Sequence, residues 1–163
     1  MKKGFNAHDN ILSLIGKTPL IRLNKITKDF NGTHFCKYEA YNPGHSNKDR
    51  IALHIINKAE KSGLIDKNST IIETSSGNTG FSLSMIAMVK GYKCIVAVSS
   101  KSSIDKIDML KSMGAKVYVC PANVAADDSR SYYQVAKRLN EEIKDSFSRN
   151  CIEIVPKFVR NNL

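Results

Sequence analysis

Apolar and polar residues follow two alternating rhythms from residue 47 onwards. Between Asn47 and Gly63, Ile51, Ile55 and Ala59, with Ala52 and Ile56, recur at i, i+4 spacing. That stripe predicts an amphipathic helix, with Gly63 as its stop. Short, nearly continuous apolar runs follow, TIIET (70–74), CIVAV (94–98) and KVYVC (116–120). Runs of this length without polar alternation predict strands covered on both faces. The text between them, SLSMIAMVK and IDKIDMLKSM, returns to helical spacing, as does SYYQVAKRLNEEIK (131–144). In the second of these, Ile104, Ile107, Met109, Leu110 and Met113 are expected on the inward face, with Gly114 as the stop. Strand and helix thus alternate as βαβ units with right-handed crossovers. The predicted fold class is α/β, a parallel sheet in three layers.

The two ends behave differently. Near the start, IGKTPLIRL predicts a turn and an extended run, and HFCKYEAY a second one, with Asn31-Gly32 marking the turn region between them. From Phe147 the text FSRNCIEIVPKFVRNNL holds one strand-like run interrupted by Pro156, with no helix to close the unit. The expected sheet therefore has an unprotected edge.

Composition narrows the class. The 163 residues suit one domain or one and a part, and 42% hydrophobic content supports a core. No stretch approaches the ~18 apolar residues of a membrane span. MKKGFNAHDN has two lysines but no apolar segment behind them, so a secretory signal is not expected and the cytoplasm is. Cys36, Cys94, Cys120 and Cys151 form no C-x-x-C pair, and His8, His34, His45 and His54 lack metal spacing. The cysteines read as reduced structural residues, and no metal site is expected. A net charge of +10 invites a nucleic-acid partner. However, the 25 basic residues are dispersed among 15 acidic ones, with no basic arm and no RNP-type aromatic motif. Nonspecific association with polyanions is the expectation, not specific recognition.

Two segments carry candidate chemistry. In NPGHSNKDR (42–50), Ser46 and Asp49 have the spacing of a capping box at a helix start. Lys48 then lies in the first turn, where the helix dipole disfavours a cation by up to about 1 kcal/mol. Arg50 adds a second positive charge close by. This setting suits a lysine that works as a neutral amine or an imine, and it is equally that of a solvated surface lysine. The second segment is SSGNTG (75–80), between a strand and a helix, where α/β sheets gather ligands. Gly77 and Gly80 admit close approach, while Ser75, Ser76, Asn78 and Thr79 supply polar groups. A helix start with exposed N–H groups binds an anion; the bland alternative is a capped turn. Neither the Walker nor the Rossmann glycine pattern is present, so a carboxylate suits the loop better than a triphosphate.

Together these blocks resemble a known family. IGKTPLIRLNKI, NPGHSNKDRIALHIINKAEKSGLI, TIIETSSGNTGFSLSMIAMVKGYKCIVAV and KIDMLKSMGAKVYV look like consecutive blocks of the cysteine synthase and cystathionine β-synthase family. These are pyridoxal-phosphate enzymes of fold type II, and the likeness runs from about Ile11 to Ile143. The resemblance implies that Lys48 holds pyridoxal 5'-phosphate through an imine and is the catalytic base. It implies that Asn78 meets the cofactor's ring hydroxyl, and that Ser75, Ser76, Gly77, Asn78 and Thr79 hold the substrate carboxylate. The implied reaction is β-replacement on serine or O-acetylserine by a thiol or sulfide, giving cysteine or cystathionine, in a homodimer when full-length. NVAADDSRSYYQVAKRLNEEI favours the cystathionine β-synthase branch.

The pattern is not followed throughout. His45 stands where the family commonly has a second glycine, Asn47 where an aliphatic residue is usual, Ser75 where threonine is usual, and SSK (99–101) where an acidic turn is usual. Nothing resembles the family's glycine-rich phosphate loop or its residue facing the pyridine nitrogen. The resemblance therefore implies a small α/β domain at 1–18 and 42–146, with 19–41 contributing strands to a large domain otherwise absent and 147–163 a divergent tail. A truncated, poorly active enzyme is expected. The alternative is a non-catalytic half-fold that associates with itself or with a full-length homologue.

Overall fold

Two separate sheets arise from the apolar runs. The computed structural model describes residues 7–148. A two-stranded antiparallel ribbon is made by β1 (Leu20–Leu23) and β2 (His34–Lys37). The second sheet is parallel, with strands β3 (Thr70–Glu73), β4 (Lys93–Ser99), β5 (Lys116–Cys120) and β6 (Ser146–Ser148) in the spatial order β5-β4-β3-β6. The helices are α1 (Lys48–Lys61), α2 (Asn78–Lys90), α3 (Ile104–Ser112) and α4 (Tyr132–Glu142). Single 3-10 turns occupy Ile11–Leu14 and Glu39–Tyr41.

β3 and the middle of β4 are apolar on both faces because both faces are covered, whereas β5, at the sheet edge, departs from that expectation with Val119 52% exposed. Ile71, Cys94, Val96 and Val98 point to one side and pack with Ala52 and Ile56 of α1, Leu83 and Ile86 of α2, and Leu110 of α3. The intervening residues Ile72, Ile95 and Ala97 pack on the other side against Val135, Ala136 and Leu139 of α4. These are the three layers expected from the alternation.

Strand order fixes where a ligand can enter. From β3 the chain steps to β4 and β5 through α2 and α3, both on the first face. It then returns through α4 on the opposite face to place β6 on the far side of β3. The winding direction reverses between β3 and β6, and the loop leaving the carboxyl end of β3 opens at that switch point.

Several expectations are corrected. β6 was not foreseen: Ser146, Phe147 and Ser148 pair with Thr70, Ile71 and Ile72. The later run CIEIV and Pro156 lie outside the described residues. HFCKYEAY is extended only over His34–Lys37 and then tightens into a 3-10 turn. In α3 only Leu110 is buried, with Ile107 and Met113 packed at the core margin. Ile104 is 75% and Met109 46% exposed. Met109 lies about 200° around the helix from Ile107, so the two cannot share an inward face. Cys36 lies exposed on the ribbon, whereas Cys94 and Cys120 are buried free thiols, as expected of structural cysteines. Burial pushes the Cys94 thiol up to about 11, which keeps it unreactive. Among the described residues no group of side chains has the arrangement of a metal site.

Candidate active site

The loop after β3 is built by close approach. Glu73, buried at the strand end, accepts the Thr74 N–H at 2.8 Å. Helix α2 starts at Asn78, so the second half of SSGNTG is the helix's own first turn and not a loop ahead of it. Gly77 is the N-cap, and among the described residues no side chain caps the helix. The first-turn N–H groups therefore lack side-chain acceptors, which leaves them available to an anion. Ser75 Oγ accepts the Gly77 N–H at 3.2 Å and shapes the turn. A Cβ on Gly80 would stand 1.7 Å from the Ser75 carbonyl oxygen. Only glycine lets the helix begin this close to the loop. Ser75, Ser76, Gly77 and Thr79 are half-buried, and Asn78 is exposed.

The turn carrying Lys48 departs from the expected capping box. Asn47 is the N-cap, in helical conformation and with no side-chain bond. Ser46 is buried and its Oγ accepts the Lys48 N–H at 3.2 Å, so the serine still serves the helix start. Asp49 does not turn back to Ser46. Its carboxylate is fully buried and accepts from the Gly44 N–H and the Ser82 hydroxyl of α2. Ser82 Oγ also lies 2.8 Å from the Asn78 carbonyl oxygen, the usual contact of a helical serine with the residue four before it. The segment bearing Lys48 is thus tied directly to α2, one turn in from its start. Lys48 itself is half-buried, and its Nζ has no hydrogen-bond or ion-pair partner among the described residues.

Arg50 anchors the same helix start on its other side. Its guanidinium donates to both carboxylate oxygens of Glu39, at 2.7 and 2.9 Å, and to the Gly16 carbonyl at 2.9 Å. Asn42 accepts the Gly16 N–H at 2.8 Å and donates to the Glu39 carbonyl at 2.8 Å. Hydrogen bonding from Arg50, with help from Thr18, holds the Glu39 carboxyl down at about 2. In the triplet Lys48-Asp49-Arg50 the outer functions are divided: the carboxylate grips α2, the guanidinium grips residues 16–18 and 39, and the amine remains unengaged. Sequence reasoning took Arg50 only as a charge and Ser82 only as part of an apolar helix. Asp49 was assigned to the wrong partner. No local signal names these contacts, because the partners lie far away in the chain.

His45 adopts φ 57°, in the left-handed region where glycine is favoured. Its Nδ1 lies 3.4 Å from the Ala40 carbonyl oxygen. The histidine thus occupies a backbone conformation that glycine takes without strain.

An amine with no partner among the described residues, on a helix start that Asp49 ties to α2, stands in an α/β sheet whose strand order reverses beside the β3 loop. Residues 11–158 match the family described as pyridoxal-phosphate dependent enzyme, and the chain belongs to that family. It is similar to cystathionine beta-synthase of Dictyostelium discoideum, 46% identical over 138 residues that cover 85% of this chain and 28% of that protein. It is also similar to cysteine synthase 1 of Emericella nidulans, 37% identical over 142 residues that cover 87% of this chain and 38% of that protein. Among solved structures, a hydrogen sulfide-producing enzyme from Fusobacterium nucleatum matches with a TM-score of 0.79 and 33% identity, over 96% of this chain and 55% of that one. The chain therefore spans less than a third of the first of these proteins and about half of the solved bacterial chain.

Proposed function

We propose that this chain supplies the lysine and the carboxylate-binding loop of a cytoplasmic enzyme for β-replacement on serine or an activated serine, forming cysteine or cystathionine with a thiol or sulfide. The observation that carries the reading is the Asp49–Ser82–Asn78 connection, which sets the Lys48 turn against the loop at the switch point.

The donor set fits two ends of pyridoxal 5'-phosphate chemistry. An unengaged primary amine suits an aldehyde, and an uncapped helix start with serine and threonine hydroxyls suits a carboxylate. Lys48 would hold the cofactor's aldehyde carbon, and Asn78 would face its ring hydroxyl. When bound, the cofactor supplies an electron sink for a carbanion at the substrate's Cα. The N–H groups opening α2, with Ser75, Ser76 and Thr79, hold and orient the substrate carboxylate. Gly77 keeps the backbone accessible beside them, since a Cβ there would meet only Ser75 Oγ, at 3.6 Å. Lys48 Nζ would be the group that takes the proton from Cα. Holding the carboxylate fixed puts that proton within reach of one amine, the orientation effect on which such a transfer depends. Buried free thiols fit a reducing compartment. Among the described residues no helix is long and apolar enough to cross a membrane.

Residues 1–18 and 42–146 are assigned to the small domain, and 19–41 to the sheet of a second, larger one in a homodimeric whole. The ribbon supports this: it has no strand pairing with the parallel sheet, and Leu20 is 61% and Phe35 53% exposed. A lone two-stranded ribbon is marginal in water. The same apolar surface favours the second reading, a non-catalytic half-fold that associates with itself or with a full-length homologue. Light scattering after size exclusion decides that point, and a clean monomer would sink it. For the enzymatic reading, wild type and Lys48→Ala are incubated with pyridoxal phosphate, reduced with borohydride and mapped by peptide mass. An adduct at Lys48 is expected; equal labelling of the two proteins would remove the lysine's role.

A further inference from the structure

We propose that Asp49 is a positioning residue that sets the rotation of α1, and with it the direction of Lys48 toward the α2 loop; this rests on the reading of Lys48 given above. Three features meet at its carboxylate. Asp49 is fully buried, yet among the described residues it has no ion-pair partner. A buried carboxylate without a cation is a poor means of gaining stability. Its two donors belong to the two segments that carry the site. Gly44 N–H lies in the turn leading to Lys48, and the Ser82 hydroxyl lies in the opening of α2 against the Asn78 carbonyl. The space is fitted as well, because a Cβ on Gly44 would stand 2.1 Å from Asp49 Oδ1. Glycine, aspartate and serine form one interlocking joint.

Consecutive helical residues point about 100° apart. With Asp49 pinned to α2, the direction of Lys48 around the α1 axis follows. A lysine amine roughly 8 Å from the axis moves almost 3 Å for a rotation of about 20°, and misplacement of about 1 Å can cost on the order of 100-fold in a reaction that depends on approach. Arg50 cannot substitute for this joint, since its contacts reach residues 16, 18 and 39 and none on α2.

The test uses the whole chain as wild type, Asp49→Asn and Ser82→Ala. Asparagine keeps the volume but replaces one acceptor with an N–H group, and alanine removes the hydroxyl alone. Each folded protein is treated with pyridoxal phosphate and borohydride. The amine adds to the aldehyde carbon, water leaves, and hydride converts the imine to a stable secondary amine. Peptide mass then gives the Lys48 adduct relative to the sum over the other lysines. In parallel, acylation by acetic anhydride without cofactor reports the reactivity of Lys48 against the same internal standards. We expect cooperative urea unfolding in at least Ser82→Ala, a tenfold or greater fall in relative adduct at Lys48, and a threefold or greater change in its relative acylation. Folded variants with wild-type ratios in both assays would overturn the proposal. So would loss of folding in both variants, which would make the joint a fold anchor only. A shift in acylation with no wild-type capture of the cofactor at Lys48 would uphold the positioning role and overturn the cofactor reading instead.

Discussion

Gly80→Ala gives the sharpest test of how the loop is built. In an exposed helix this change would stabilise by about 1 kcal/mol, because alanine is the better helix former. Here the added Cβ would lie 1.7 Å from the Ser75 carbonyl oxygen, where ordinary contact begins at 3.4 Å. The obstacle is backbone, so no side-chain rotation relieves it. Either α2 withdraws from the strand end or the loop is displaced. Overpacking of this kind costs roughly 1–3 kcal/mol and occasionally more, and the clash is severe enough to place the net loss near 3 kcal/mol. For a chain of this size that corresponds to a fall in Tm of about 6–12 °C. Urea unfolding followed by circular dichroism measures it. Gly77→Ala is the matched control: its nearest neighbour would be Ser75 Oγ at 3.6 Å, with φ −92°, and stability should stay within about 0.5 kcal/mol of wild type or rise slightly. A Gly80→Ala protein as stable as wild type, or more so, would show that α2 does not start where the loop geometry requires.

His45→Gly should stabilise the fold by about 1 kcal/mol, since it releases a non-glycine residue from φ 57° while adding some unfolded-state entropy; a loss in urea midpoint would mean that the histidine side chain contributes more than its strained backbone costs. Glu39 yields a pH test. Its carboxyl is depressed from 4.5 to about 2 in the folded chain, so its contribution is fully present above pH 4.5 and is lost as pH falls through about 2. The stability gap between wild type and Glu39→Gln should therefore narrow between those values in acid titrations monitored by circular dichroism, and a gap unchanged at pH 2 would deny the carboxylate its role in the Arg50 clamp.

Periodicity made much of the scaffold legible. The stripe from Ile51 to Ala59 and the runs at 70, 94 and 116 became α1, β3, β4 and β5, because burial on one or both faces writes itself into spacing. β6 left no such trace. Ser146, Phe147 and Ser148 are short and half polar, and they are a strand only because β3 offers them hydrogen bonds. Met109 and Ile104 misled for the opposite reason, being apolar where none of the described residues covers them. At the site, the chemistry of Lys48 and of SSGNTG could be read from residue types and local order. The joint through Asp49 and Ser82 could not, since a carboxylate three residues after a serine is equally a cap. Its actual partner lies 33 residues away and is set by how α1 packs on α2.

The joint at Asp49 also makes residues 44–49 a gauge of chain length. Inserting or deleting one residue between Gly44 and Lys48 would take the Gly44 N–H and the Asp49 carboxylate out of register and break the joint that orients the Lys48 turn. Replacement at the exposed positions His45 and Asn47 is harmless by comparison. The two positions at which the resemblance marks a departure in this segment, His45 and Asn47, are both exposed and lie outside the joint of Gly44, Asp49 and Ser82.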